Sequence, residues 1–99
     1  MEFTVANKKV VLRERISLGD GYDIIGLFSS IDSNDLRTSI PIMTKMIESW
    51  EFEGEPSDRA SYDNLDVLAE FIPMSRRINA RINAMMSGLD EDEEEPEKN

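Results

Sequence analysis

The sequence contains neither cysteine nor histidine. Without them no disulfide can staple the fold, and the usual thiolate and imidazole ligands of zinc are absent. Ser-His-Asp triads and Cys-His dyads are excluded for the same reason. No run approaches the ~20 consecutive apolar residues that a membrane-spanning helix needs. The first residues, Met1-Glu2-Phe3-Thr4-Val5, lack the basic start and apolar core of a secretory signal. Together these absences lead to the expectation of a cytoplasmic protein.

Positive charge is also scarce. The 99 residues carry 21 acids and 11 bases, a net charge of −10. Residues 90–99 account for −6 and residues 1–89 for −4. Such a chain repels nucleic-acid phosphates and anionic lipid, so neither is an expected partner. At this length one domain is expected, burying roughly two-thirds of its unfolded surface. The domain is placed at 1–89 and a disordered acidic tail at 90–99, where too little apolar surface exists to drive ordering.

Hydropathy patterning gives the fold class. Met1, Phe3 and Val5 alternate with polar residues, as do Val10, Leu12 and Ile16, so both stretches read as half-buried strands. Ala6-Asn7-Lys8-Lys9 between them fits a hairpin turn. Ser17 to Gly21 reads as a break and Tyr22 to Phe28 as a short helix. Gly26 costs that helix about 1 kcal/mol relative to alanine, and a close helix contact is one reason a glycine could stand there. Asp32 to Asp35 is rich in capping residues. Leu36, Ile40, Met43, Met46, Ile47 and Trp50 then form a helical stripe, kinked or split at Pro41. Gly54 and Pro56 punctuate a loop into which Phe52 tucks. From Tyr62 a second helical half carries Leu65, Leu68, Phe71 and Ile72, with a joint at Pro73. Met74, Ile78, Ile82, Met85 and Leu89 form a narrow seam that Gly88 closes. The fold class is therefore α+β: an N-terminal β-hairpin on a small bundle of three to five helices. Leu36, Ile40, Met43, Ile47 and Trp50 are assigned to the core.

Little here points to catalysis. Gly19-Asp20-Gly21 lacks the spacing of a dinucleotide loop and no Walker lysine follows. No carboxylate pair sits in an apolar setting that would raise one pKa. The acidic run at 90–95 lacks the glycine and spacing of a calcium loop. Arg76, Arg77 and Arg81 cluster on the last helix, but the charge balance favours an acidic neighbour over nucleic acid. No enzyme activity and no cofactor is expected. The six methionines make adaptable apolar surface of the kind that accommodates varied helices. Ile78, Ile82, Met85 and Met86 are the candidate protein-binding residues.

The order of segments carries a resemblance. A short hairpin and an apolar helix are followed by Ile47-Glu48-Ser49-Trp50-Glu51-Phe52-Glu53-Gly54-Glu55-Pro56. Then come Tyr62-Asp63-Asn64-Leu65-Asp66 and Phe71-Ile72-Pro73-Met74. Over residues 1–89 this resembles the tail assembly chaperones of long-tailed (siphovirus-type) bacteriophages. The resemblance implies a protein of the infected host's cytoplasm that binds the tape measure protein, a long helical chain. It keeps that chain soluble while tail tube protein polymerises around it, and is absent from the mature virion. It also implies a longer form of the same chain made by programmed frameshifting. Glu97-Lys98-Asn99 permits the codons GAA AAA AAC or GAA AAA AAT, which contain a slippery string; a Glu97 or Lys98 codon ending in G would break it. Two other readings compete: an acidic adaptor or inhibitor that mimics nucleic acid and binds a basic protein, and a small structural tail or head-joining subunit.

Overall fold

A computed structural model describes residues 1–32 and 34–98, with side chains through Ser87. Strands β1 (Glu2–Val5) and β2 (Lys8–Leu12) pair antiparallel, with Phe3 opposite Val10 and Val5 opposite Lys8. Only Ala6 and Asn7 make the turn, both at positive φ (49° and 65°). Such two-residue turns match the right-handed twist of the strands. Phe3, Val5, Val10 and Leu12 are all buried, as alternation requires.

Helix α1 (Leu18–Phe28) begins four residues earlier than the sequence reading placed it. Ser17 is its N-cap, and its hydroxyl accepts the Asp20 N–H at 3.2 Å. That bond satisfies one of the first turn's orphan donors and carries the helix through Gly19 and Gly21. No neighbour lies within 4 Å of a Cβ built on Gly26, so a close helix contact is not the reason for that glycine. Asp20 and Asp23 both reach Lys45, each at 3.7 Å, and tie α1 to the segment that follows Pro41.

The stripe from Leu36 to Trp50 is divided among three kinds of backbone. A 3-10 turn spans Leu36–Ser39 and is capped by Asp35. Helix α2 (Ile40–Met46) follows with Pro41 in its first turn, where a missing N–H costs nothing. Ile47–Trp50 is not helical but forms β3, which pairs antiparallel with β2. The hairpin is thus extended to a three-stranded sheet in the order β1-β2-β3. Val10 faces Trp50 and Leu12 faces Ile47, so Glu48 is an extra residue in β3. Without that bulge Ile47 and Trp50, three residues apart, would point to opposite faces.

Helix α2 is the centre of the molecule. Ile40, Ile42, Met43 and Met46 are buried in one core with residues of the sheet, α1 and the C-terminal helix. Of the residues assigned to the core, Ile40, Met43 and Ile47 are buried and Trp50 is half-buried against them. Leu36 is not core: it is 40% exposed at the first position of its 3-10 turn, on the rim of an open hollow shared with Tyr62, Leu65 and Val67. A further 3-10 segment (Arg59–Asn64) and one π-type turn (Val67–Phe71) lead into α3 (Ile72–Lys98). The expected second helical half from Tyr62 is therefore irregular up to Phe71, with Pro73 in the first turn of α3, and Leu68 is exposed. Phe71, Met74, Ile78 and Ile82 complete the core, and the Arg77 guanidinium lies 5.0 Å from the Phe3 ring centre. The α3 backbone runs on past Gly88, which does not close the helix as expected; the expectations for the Leu89 side chain and for a disordered end at 90–99 lie outside what the structure describes.

The loop after β3 is locked by aromatic contacts. Trp50 packs on Phe52 and Tyr62 with centroids 5.6 and 4.9 Å away. Its Nε1–H donates to the Gly54 carbonyl at 2.7 Å, and the Tyr62 hydroxyl donates to the Pro56 carbonyl at 2.6 Å. Phe52 is buried, as its position in the loop suggests. Burial pushes the Tyr62 phenol well above its ordinary pKa of 10.0.

Candidate functional site

Most apolar residues of the two long helices are accounted for by the core. A few on each are not. On α1, Ile24 points inward and is sealed, whereas Leu18 is 76% and Tyr22 67% exposed. Ile25 is also exposed. Leu18, Tyr22 and Ile25 are spaced by four and three, so they form a second apolar stripe on the same helix.

This stripe borders the end of the seam on α3. Ile16, Ser17, Leu18, Gly21, Tyr22, Ile24 and Ile25 supply one wall of an open groove. Ile82, Met85 and Met86 supply the other. The groove holds about 440 Å³. Gly21 contributes no side chain to it, and a Cβ built there meets nothing within 4 Å. Ser17 fixes where α1 starts, and so fixes Leu18 and Gly21 at the groove's edge.

The candidate binding residues divide accordingly. Ile78 and Ile82 are each only 1% exposed, so they are core and not available to a partner. Both belong to the buried cluster that also holds the inward residues of the sheet and α2. Ile82 reaches the groove only as its floor. Met85 is half-buried against the core and Met86 is exposed, and both line the groove. Residue spacing alone misses the opposite wall, because the apolar pattern starts the helix at Tyr22 and leaves Leu18 in a break. Ser17-Leu18-Gly19-Asp20, with a capping serine and an acid in the first turn, is the local signal that could have moved the start.

A smaller hollow of about 200 Å³ lies among Leu36, Ile40, Tyr62, Leu65, Val67 and Phe71. Among the described residues no group of three or more acidic side chains is placed to hold a metal ion. No helix of the described residues is long and apolar enough to cross a membrane. What the fold and groove define is a small α+β protein with an open apolar cleft between its first and last helices. No protein-family model, no curated protein and no solved structure matches the chain.

Proposed function

We propose that this chain is a tail assembly chaperone of a long-tailed bacteriophage. It binds the tape measure protein in the host cytoplasm and keeps it soluble while the tail tube forms. It has no catalytic step and needs no cofactor. The observation that supports this reading is the cleft of Leu18, Tyr22, Ile25, Met85 and Met86, left uncovered after the core is complete. A helical client whose apolar face is unassembled aggregates through that face, and an apolar groove can cover it. Methionine suits a client of varied sequence, since its unbranched side chain adapts to irregular surfaces. The resemblance over residues 1–89 supplies the client's identity. The two halves of the argument are independent: the groove involves Leu18 and Met86, whereas the resemblance rests on Trp50 and its loop.

Co-expression with the tape measure protein of the same phage tests the proposal. The soluble fraction of the client rises in the presence of this chain and falls back with Leu18→Glu/Tyr22→Glu. The chain is then absent from purified particles. A client equally insoluble with and without the chain overturns the proposal, and so does recovery of the chain in finished virions, which is the behaviour of a structural subunit.

A further inference from the structure

The sheet ends in two edges of different character. On the β3 side the pairing carries the bulge at Glu48, and a bulge disrupts the regular ladder that a further strand needs. On the other side β1 pairs in an unbroken register and holds no proline. The phase of its hydrogen bonds follows from one contact. The Leu12 N–H donates to the Met1 carbonyl at 2.7 Å, so Met1 and Leu12 form a hydrogen-bonded pair. Such pairs alternate along an antiparallel ladder, which makes Phe3–Val10 and Val5–Lys8 the next two. The main-chain groups of Glu2 and Thr4 therefore point away from β2. Among the described residues no strand lies beyond β1, and both residues are exposed. Two N–H and two C=O groups are thus presented at the spacing with which an extended segment pairs.

A charge stands beside this edge. The Arg77 guanidinium lies 5.0 Å from the ring centre of Phe3, whose side chain is turned into the core. Among the described residues no carboxylate lies within 4.0 Å of that guanidinium. Glu2 points to the opposite face of the strand, where its carboxylate meets Lys9 at 4.0 Å. A strand added antiparallel to β1 sets one residue opposite Phe3. Phe3 gives its own hydrogen bonds to Val10, so this new pair is of the non-hydrogen-bonded kind, with Cα atoms only about 4.5 Å apart. The facing side chain points the same way as Phe3, toward Arg77. A second copy of β1 is a poor occupant. In the symmetric register it sets Phe3 against Phe3 and brings two guanidiniums to one place, and two chains of net charge −10 repel as well.

We propose that the β1 edge is a second docking site, which takes an extended segment of a partner protein with an aspartate or glutamate opposite Phe3. The main chain of Glu2 and Thr4 holds the segment, and Arg77 selects the acid. The site shares no residue with the groove between α1 and α3 and does not rest on the chaperone reading.

The test uses the full-length, isotope-labelled chain and short blocked peptides in which threonine and valine alternate. Three differ only at the central position of the valine face, which is glutamate, glutamine or lysine. A fourth is the glutamate peptide N-methylated at its threonines, the residues whose amides face β1. Binding is followed through the chain's amide shifts and hydrogen exchange. The glutamate peptide slows exchange at the Glu2 and Thr4 amides and leaves Phe3 and Val5, already bonded to β2, unchanged. At low salt it binds roughly threefold more tightly than the glutamine peptide, with the lysine peptide weakest, and the differences shrink at high salt. Arg77→Gln removes the preference and keeps the binding of the glutamine peptide. The N-methylated peptide does not bind, and Leu18→Glu/Tyr22→Glu binds all the others as the unmodified chain does. Equal binding of the glutamate, glutamine and lysine peptides, or a preference that survives Arg77→Gln, overturns the selection for an acid. Exchange at Glu2 and Thr4 that no peptide slows, or full binding of the N-methylated peptide, overturns the edge as a site. Binding lost in Leu18→Glu/Tyr22→Glu moves the peptide to the groove and overturns it equally. Protection of Glu2 and Thr4 that grows with the concentration of the chain alone makes a second copy the occupant and overturns the choice of partner. Each of these outcomes leaves solubilisation of the tape measure protein, and so the proposed function, to be judged by its own experiment.

Discussion

At φ 83° Gly54 adopts a conformation that L-residues rarely take, and a Cβ built there runs into the Ser61 hydroxyl. The same residue's carbonyl accepts the Trp50 indole N–H. Gly54→Ala therefore strains the backbone and displaces the 3-10 segment that carries Tyr62. The expected loss is about 1–3 kcal/mol, read by urea unfolding followed through Trp50 fluorescence. Tyr62 supplies a second residue-scale test. Its buried phenol holds its proton more tightly than in the unfolded chain. Stability from this group is complete below pH 10 and is lost as pH rises above it, with a slope of up to about 1.4 kcal/mol per pH unit. Tyr62→Phe leaves the Pro56 carbonyl without its partner and costs about 1 kcal/mol at neutral pH. It also removes the alkaline loss, so the gap between the two proteins narrows above pH 10. A gap that stays constant across that range refutes the burial argument.

At the scale of elements, what could be read from residues and what could not has one physical cause. Strand alternation in β1 and β2 is local, so Phe3, Val5, Val10 and Leu12 were legible as an inward face. The α1 start was legible in principle from Ser17, but two nearby glycines masked it. β3 was not legible. Its bulge sets Ile47 and Trp50 three residues apart on one face, and that spacing continues the i, i+3, i+4 rhythm of Met43 and Met46. Only pairing with β2 distinguishes the two, and pairing is not a local property. The same holds for Ile78 and Ile82: a helix seam looks alike whether a sheet or a partner covers it. Helix α1 gives a test of what its glycines are for. Neither Gly21 nor Gly26 has a neighbour within 4 Å of its Cβ position. Alanine at either position should stabilise α1 by up to about 1 kcal/mol. Gly26→Ala raises Tm and leaves client binding unchanged. Gly21→Ala also raises Tm but places a methyl group in the groove, so client binding weakens. If both variants bind the client normally, the groove wall at Gly21 is not a contact surface.

The molecule as a whole combines an uncovered apolar cleft with a large negative charge, and the two have opposite effects on association. Leu18, Tyr22, Ile25 and Met86 offer neighbouring molecules an adhesive patch. A charge of −10 keeps molecules apart at neutral pH. The charge vanishes toward the isoelectric point at about 4.3, and repulsion weakens with it. Self-association should therefore increase as pH falls from 7 toward 5, and light scattering will follow it. Leu18→Gln/Tyr22→Gln keeps the net charge and removes much of the patch. Because both side chains are largely exposed, each change should alter folding stability by no more than about 0.5 kcal/mol. The variant should stay dispersed to lower pH and bind less anilinonaphthalene dye at pH 7, with an unchanged far-ultraviolet circular dichroism spectrum. Equal dye binding by the two proteins would mean that the accessible apolar surface lies elsewhere, with the hollow at Leu36 and Val67 the next place to substitute.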